Sequence, residues 1–352
     1  VSLPLSCKSD LIVGALMANS PSNRFWHGLS YQYPSLGRSQ KSSLFPARIC
    51  TMERVANKQK IRLRLLLSRR EIMASAYMEP ITSAGNAEVK RLRALHERKF
   101  RRQTGLFLAE GTRICTEAVS LGWRLQRLAF LAGRENDRHV RPLLAALEQD
   151  GGRALPMTEA LLGRISRKDN PQMVLGAFEQ SWDTPDLPSD TASAESVAAV
   201  PPLWIALDRV RDPGNLGTIM RTADATGATG IILIDDCTDP FSVEAVRASM
   251  GAVFNVGIAQ MDSGSFIDFV GAWPGRTIGT ALPASRDYRD IAYDGPLILL
   301  MGNEQAGLPD QLMQACDQLI RMPMLGRSDS LNLAVATGVA LYEALRHRQP
   351  PA

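Results

Sequence analysis

Six polar residues lie in the loops that follow predicted buried strands, or in the helices that those loops open. They are Asn215, Arg221, Asn303, Glu304, Ser330 and Asn332. Amides, a carboxylate, a hydroxyl and a guanidinium can together hydrogen-bond a hydroxyl group and neutralise an anion. The set is therefore suited to orienting an anionic substrate that carries hydroxyl groups.

Several common catalytic arrangements are missing from the sequence. It contains no GxxxxGKS/T pattern, which excludes a P-loop, and no GxGxxG after the first strand of either predicted domain, which disfavours an ordinary dinucleotide site. None of the histidines falls in a predicted loop at the carboxyl edge of the sheet; they are His27, His96, His139 and His347. The sequence therefore offers neither a histidine base nor a cysteine nucleophile there.

The cysteines are scattered and none forms a CxxC pair; they are Cys7, Cys50, Cys115, Cys237 and Cys316. We expect no zinc site, no iron–sulfur cluster and no disulfide framework, which fits a reducing compartment such as the cytoplasm. The 352 residues allow two domains plus tails, and 45% apolar content supports real cores. A net charge of +4 permits a nucleic-acid partner without arguing for one.

Residues 1–72 differ from the rest, with twelve basic and three acidic residues and little periodicity. This composition is typical of an organelle transit peptide, in which case the protein belongs to an organelle. The alternative is an upstream extension of the predicted gene, with initiation at Met73 or Met78. Either way we expect a disordered extension that contributes no chemistry.

Residues 79–180 are predicted to form a small α/β domain, with helices over 86–96, 112–120 and 142–149 and strands over 106–111, 125–131 and 172–178. Its first helix runs into a basic stretch that could follow the phosphates of RNA. The residues predicted to bind RNA are Lys90, Arg91, Arg98, Lys99, Arg101 and Arg102. The alternative is a solvated helix face.

Residues 181–202 have the Pro, Ser, Ala and Asp composition of a linker, and from 203 onward strands alternate with helices. Strands are predicted over 203–210, 231–235, 253–259, 277–282, 297–301 and 318–322, which indicates a mainly parallel α/β sheet. A closing helix is predicted to begin at Ser330 or Asp329 as N-cap. Its predicted buried face is Leu331, Ala334, Val335, Gly338, Leu341 and Leu345.

Three ordered blocks carry a family resemblance. They are DPGNLG at 212–217 with RTA at 221–223, MGNEQAGL at 301–308, and MPM at 322–324 with SLNLA at 330–334. These blocks, with DPF at 239–241 and RASMGA at 247–252 between them, resemble the motifs of the SpoU (TrmH-type) RNA 2′-O-methyltransferases of the SPOUT superfamily. The resemblance is strong over 203–348 and weaker over 79–180, which is similar to the family's substrate-binding domain.

The resemblance implies methylation of a ribose 2′-hydroxyl in rRNA or tRNA by S-adenosylmethionine, without a metal. It also implies a homodimer and a C-terminal trefoil knot, although chain threading is disfavoured in general. By position, the cofactor would bind at Gly302, Met322 and Leu331. The polar active-site positions would be Asn215, Arg221, Glu304, Ser330 and Asn332.

Two residues depart from the family pattern: Gln305 stands where glycine is common, and Glu244 where a basic residue is frequent. The general base also has more than one candidate. Family proposals assign it to Arg221, but a guanidinium is effectively always protonated, so we expect Arg221 to hold a phosphate while phosphate, Glu304 or water takes the proton. The alternative functions are a non-catalytic RNA-binding protein that retains the fold and, more distantly, a nicotinamide oxidoreductase.

Overall fold

The structure of the chain is a computed structural model that describes residues 79–185, 187, 201–282 and 284–348. The predicted extension, residues 1–72, lies outside the described residues, as do residues 188–200 of the predicted linker. All described residues belong to one compact unit of the chain.

The first part of the described chain is a mixed four-stranded sheet with helices around it. Its strands are β1 (Leu106–Glu110), β2 (Leu125–Leu131), β3 (Arg153–Met157) and β4 (Val174–Glu179), in the order β1-β4-β2-β3. β2 and β3 pair in parallel, and β4 pairs antiparallel with both β1 and β2. The helices are α1 (Ala87–Ala94), α2 (Arg98–Thr104), α3 (Thr112–Ser120), α4 (Arg141–Gln149) and α5 (Glu159–Ser166).

Local sequence explains where the first helices begin and end. α1 begins where the side chain of Asn86 accepts a hydrogen bond from the Glu88 amide at 2.8 Å, which satisfies one of the free donors of a helix N-terminus. α2 ends at Gly105, whose φ of +67° is a left-handed conformation that favours glycine. Because α1 ends at Ala94 and α2 begins at Arg98, the basic stretch is divided between two helices.

The second part of the described chain is a seven-stranded sheet in which every strand pair is parallel. Its strands are β5 (Leu203–Asp208), β6 (Gly230–Ile234), β7 (Gly257–Met261), β8 (Arg276–Thr280), β9 (Arg286–Asp287), β10 (Leu297–Met301) and β11 (Gln318–Arg321), in the order β7-β6-β5-β10-β8-β11-β9. The helices are α6 (Pro213–Ala225), α7 (Val243–Ser249), α8 (Ser263–Gly271), α9 (Asp310–Gln314) and α10 (Leu333–Arg348). The predicted mainly parallel α/β sheet is confirmed. The threading of the chain into a trefoil knot stays a prediction.

One predicted strand is misplaced. The sequence indicates a strand over 253–259, but Ala252–Phe254 form a 3-10 turn and the strand covers Gly257–Met261. All three residues of the turn are buried, and a short buried apolar run looks the same in sequence whether it is strand or helix. Six further elements were not predicted from the sequence: α2, α5, α7, α8, β3 and β9.

The two sheets share one hydrophobic core built around aromatic rings. The ring of Phe107, on β1, lies 4.8 Å from that of Phe241 and 5.8 Å from that of Phe254, both from the second part of the chain. Trp123 packs edge-on against Phe254 and donates its indole hydrogen to the Phe254 carbonyl at 2.9 Å. Phe107 and Phe241 are completely buried. The core thus fixes the first sheet against the second.

Two ion pairs cross the same contact: one is buried, and the other joins a buried carboxylate to a partly exposed arginine. Arg101 on α2 binds Asp239 at 2.7 Å, with only 3% and 10% of the two side chains exposed. Arg247 on α7 binds Glu110 at the end of β1, and Lys168 binds the same carboxylate at 2.9 Å. Buried charges require such partners, because an unpaired charge in the interior is very costly. The pairs therefore specify one orientation of the two sheets.

Across the described residues, no helix is long and apolar enough to cross a membrane.

Candidate active site

Asn215 is held in the first turn of α6, directly after β5. Asp212 is the N-cap of this helix, and its Oδ1 accepts a hydrogen bond from the Asn215 amide at 2.6 Å. Pro213 at the first position suits a helix start, since its missing N–H would have had no partner there. Gly217 allows α7 to approach, because a Cβ at this position would lie 2.4 Å from that of Ala248. Asn215 therefore faces the carboxyl edge of the sheet from a fixed helix.

Glu304 projects from a tight loop directly after β10. The side-chain oxygen of Asn303 accepts hydrogen bonds from the two backbone amides that follow Glu304, at 2.9 and 3.2 Å. The backbone groups of Asn303 and Gly307 also pair with each other, at 3.0 and 3.1 Å. Gly302 has no room for a Cβ, which would lie 2.5 Å from the Gly307 carbonyl carbon. The loop therefore has few conformations, and Glu304 lies exposed at its tip.

Asn332 is the residue that caps α10. Its Oδ1 accepts from the amides of Ala334 and Val335, at 2.9 and 3.3 Å. The prediction that Ser330 or Asp329 caps this helix is therefore wrong: the helix begins two to three residues later than the sequence pattern suggested.

The three loops meet through their side chains. Asn332 Nδ2 donates to Asn215 Oδ1 at 3.0 Å, and Asn215 Nδ2 donates to Glu304 Oε1 at 3.2 Å. The orientation of both amides follows from the helix, because the α10 amides need the oxygen of Asn332 and leave its nitrogen for Asn215. Among the described residues, no group donates a hydrogen bond to Glu304 Oε2. That oxygen can therefore accept a hydrogen from a bound hydroxyl group.

The structure does not bring Arg221 and Ser330 into this hydrogen-bonded chain. Arg221 is exposed on α6 and forms no ion pair with any described residue. It lies six residues after Asn215, which on an α-helix is about 9 Å along the axis and roughly a third of a turn around it. Ser330 is exposed too, and its hydroxyl lies 3.5 Å from Asp329 Oδ1. The roles of both residues stay predictions.

The residues predicted to hold a cofactor border the same edge. Gly302 follows β10, Met322 follows β11 and packs partly against the shared core, and Leu331 is 41% exposed. Between them, the backbone groups of residues 323–331 make no hydrogen bond to another described residue. Free amides and carbonyls beside exposed apolar side chains suit a ligand that combines a purine with an aliphatic tail.

The model of the SpoU rRNA methylase family matches residues 202–342, and that of the MRM3-like substrate binding domain matches residues 86–176. The 23S rRNA (uridine(2479)-2′-O)-methyltransferase of Streptomyces viridochromogenes is 32% identical over 271 residues, which cover 75% of this chain and 91% of that protein. The chain belongs to the SpoU rRNA methylase family.

Other members agree with this assignment. The 23S rRNA (guanosine(2553)-2′-O)-methyltransferase of Bacillus subtilis is 29% identical, over 75% of this chain and 98% of its own. The crystal structure of an AdoMet-bound rRNA methyltransferase from Sinorhizobium meliloti superposes with a TM-score of 0.70 at 44% identity, covering 77% of this chain and 99% of that one. The SpoU resemblance read from the three ordered blocks is thereby confirmed.

Sequence reasoning about this SpoU protein missed Asp208 and Arg209. Arg209 has a φ of +43°, which is strained for a residue with a side chain, and its carbonyl accepts from Asn303 Nδ2 at 2.8 Å. Its guanidinium binds the buried Asp208 carboxylate through three hydrogen bonds, at 3.0, 3.1 and 2.8 Å. The pair thus supports the loop of Glu304. The available signal was an acidic residue at the end of a buried strand followed at once by arginine.

Cys237 lies in the loop after β6, at the carboxyl edge of the sheet, where we expected no cysteine nucleophile. The side chain is 2% exposed, and burial raises the pKa of its thiol to about 12. A thiol this weakly acidic is not a nucleophile at neutral pH. Within the described ranges, no three residues of metal-binding type come together to hold an ion.

The residues predicted to bind RNA divide into exposed and buried groups. Lys90, Lys99 and Arg102 are exposed, Arg91 is exposed and paired with Glu88 at 2.7 Å, and Arg98 is half-buried. Arg101 is different: it is 3% exposed and also donates to two backbone carbonyls. The prediction that Arg101 contacts RNA is therefore wrong, because its charge is already used inside the protein.

Proposed function

We propose that the chain transfers a methyl group from S-adenosylmethionine to a ribose 2′-hydroxyl in rRNA. The observation that carries this proposal is the hydrogen-bonded chain from the α10 N-terminus through Asn332 and Asn215 to Glu304. It joins the three sequence blocks that carry the resemblance to the family. It also ends in a carboxylate oxygen that faces solvent.

The contribution of the chain's own residues to the reaction is to accept the proton of the ribose hydroxyl. A ribose hydroxyl is a poor nucleophile until its proton leaves, so a base must lie within hydrogen-bond reach. Glu304 is suited to that role, because Asn215 occupies one of its oxygens and leaves the other free. Bound S-adenosylmethionine supplies a methyl group that its sulfonium charge already activates, so we expect that no metal is needed.

Arg221 is suited to holding the substrate rather than deprotonating it. A guanidinium group has five N–H donors and no acceptor, so it binds anions and does not take up a proton. Because it is exposed and pairs with no described residue, it is free to bind a phosphate next to the target ribose. A fixed positive charge there would also stabilise the negative charge that develops on the attacking oxygen.

A second copy of the chain is the proposed partner on α10. Apolar side chains lie on all sides of this helix, and Val335 and Tyr342, seven residues apart, are 53% and 56% exposed. Gly338, between them, lies beside Thr222 of α6, which neighbours Arg221. A homodimer through this face would cover the apolar residues and border the proposed phosphate contact.

A methylation assay tests the proposal. The purified protein with radiolabelled S-adenosylmethionine and rRNA should label ribose 2′-oxygens, and Glu304→Gln should lower turnover by about 10²–10⁴-fold while cofactor affinity is kept. Arg221→Ala should also lose turnover and keep cofactor binding. Label on base atoms alone would refute the proposal. A wild-type protein that binds RNA but not the cofactor would instead be a non-catalytic binder.

The modified nucleotide and the compartment are separate questions. Mapping methylated riboses in a strain that lacks the gene would identify the nucleotide and would decide between rRNA and tRNA. We infer a cytoplasmic enzyme, or an organellar one if residues 1–72 act as a transit peptide. Fluorescence microscopy of the tagged full chain would distinguish the two.

A further inference from the structure

Two arginines from different parts of the chain converge on one exposed carboxylate. Arg98 on α2 binds Asp236 Oδ1 at 3.3 Å, and Arg211, in the loop after β5, binds Asp236 Oδ2 at 3.0 Å. The side chain of Asp236 is 68% exposed. Each carboxylate oxygen thus receives a hydrogen bond from a different guanidinium.

The position of this cluster is fixed by buried neighbours. Arg101 follows Arg98 by three residues on α2, and Asp239 follows Asp236 by three residues in the loop after β6. The buried Arg101–Asp239 pair therefore holds the two backbones that carry the exposed Arg98–Asp236 pair. Arg211 directly precedes Asp212, the N-cap of the helix that carries Asn215, so the cluster flanks the candidate active site.

A purely structural role explains the cluster poorly. Hydrogen bonds from Arg211 and then Arg98 hold the pKa of Asp236 below its usual value, so the carboxylate remains charged. Exposed ion pairs contribute little to stability, and the buried pair beside it already joins the same two segments. A carboxylate held by two guanidinium groups also presents its oxygens as a phosphate would.

The surroundings favour nucleic acid as the partner. A narrow crevice beside the cluster is lined by Arg98, Arg102 and Trp182, a residue that is 44% exposed and whose ring packs edge-on against Phe241. Aromatic rings next to cations are how many proteins hold single-stranded nucleic acid, with bases stacked and phosphates neutralised. A neutral ligand would not neutralise the charge of the two guanidinium groups.

We propose that Arg98 and Arg211 form a phosphate-binding site for the RNA strand next to the target ribose, and that Asp236 occupies this site in the free protein. The RNA phosphate displaces the carboxylate and takes over both guanidinium groups. Asp236 thereby weakens binding of RNA that does not reach the rest of the site. This inference rests on the proposed function for its substrate, but it is measured through binding alone.

Asp236→Asn tests the proposal with a distinctive sign. Removal of the competing charge should strengthen RNA binding several-fold at low salt, and the gain over the wild type should shrink as the salt concentration rises, because salt screens the exposed carboxylate that is removed. Fluorescence anisotropy with a labelled rRNA fragment measures both. The matched control is Asp294→Asn, an exposed carboxylate paired with Arg276 at 3.7 Å beside the amino end of β8, the opposite edge of the sheet. It should leave affinity and slope close to those of the wild type.

Substitutions of the two arginines are the complementary experiment. Arg98→Gln and Arg211→Gln should each weaken binding by about three- to tenfold and flatten the salt slope, whereas Arg276→Gln should not. If Asp236 only ties the two segments together, Asp236→Asn will lower the melting temperature without strengthening RNA binding, and the inference is overturned. Methylation by a wild-type enzyme in that case leaves the proposed function intact. Tighter RNA binding by Asp236→Asn in a protein that transfers no methyl group would support the phosphate-binding site and refute the proposed function.

Discussion

Asn332 donates its side-chain hydrogen to Asn215 at 3.0 Å, although 117 residues separate the two in sequence. The same side chain caps α10 through its oxygen. One side-chain amide therefore has two functions. Its oxygen accepts hydrogen bonds from free backbone amides at the N-terminus of α10, and its nitrogen orients Asn215, the residue that contacts Glu304. Stability and site geometry are coupled through this residue, and substitutions can separate the two effects.

Asn332→Asp should separate them. Aspartate caps helices as well as asparagine does, so we expect the melting temperature to be kept. The new carboxylate cannot donate to Asn215 Oδ1 and repels it, so the Asn215 amide should turn away from Glu304. Methyl transfer should fall by about 10²-fold, the usual cost of a displaced catalytic group.

Asn332→Ala is the control for that experiment. It removes the cap as well, and should cost about 1 kcal/mol of stability together with the same loss of turnover. Thermal denaturation and initial-rate assays on the two variants give both quantities. Full activity of Asn332→Asp would show that the hydrogen bond to Asn215 is irrelevant to the reaction.

Disruption of the buried pair of Arg101 and Asp239 is expected to change the stability of the fold. Arg101→Met should cost about 3–5 kcal/mol in the free energy of unfolding, because it leaves the Asp239 carboxylate buried without its cation. The neighbouring Arg102→Met removes an exposed charge on the same helix and should change stability by less than about 0.5 kcal/mol. Urea denaturation measures both. Equal effects of the two substitutions would mean that the Arg101–Asp239 pair is solvated rather than buried.

The sequence predicted the loops of the site well because they follow apolar strands whose ends are marked by glycine, proline and asparagine. Asn215, Glu304 and Asn332 were placed at one edge of a parallel sheet, and the structure brings them together. Their mutual hydrogen bonds could not be predicted, because they depend on the tertiary arrangement of three loops far apart in sequence.

The failures have a common physical cause. Arg101 belongs to a basic run whose other members are mostly exposed, and only the packing of α2 against the second sheet buries it. Leu331 and Val335 were assigned to the buried face of α10, yet both are exposed, because the helix begins at Leu333 and Thr337 occupies the buried side. Apolar residues on every side of a helix give no single face from which a pattern can be read.

His96 predicts a dependence of stability on pH. Its Nε2 contacts the Ile165 carbonyl at 2.6 Å; burial, together with Arg167 and Arg247, lowers its pKa below the ordinary 6.5, while the carbonyl and Glu244 oppose the shift. The unfolded chain therefore binds the proton more readily than the folded one, so stability should fall as the pH drops below about 6.5. Melting temperatures between about pH 7.5 and pH 5.5 should fall less in His96→Gln than in the wild type. Identical slopes would assign the loss to other groups.

The exposed face of α10 predicts the oligomeric state. Tyr342 and Val335 are more than half exposed on a helix whose other side is fully packed, and a second copy of the chain is the proposed cover. Tyr342→Glu would place a charge in that interface and should weaken dimerisation by about 30-fold or more, the equivalent of a hot-spot loss of ~2 kcal/mol. Leu325→Glu is the matched control, because Leu325 is fully exposed in the loop before α10 and outside this face. Analytical ultracentrifugation should find a dimer for the wild type and Leu325→Glu, and a monomer for Tyr342→Glu at micromolar concentration. A wild-type monomer would show that the apolar face has another partner, and Arg221 would then have to bind phosphate without help from a second subunit.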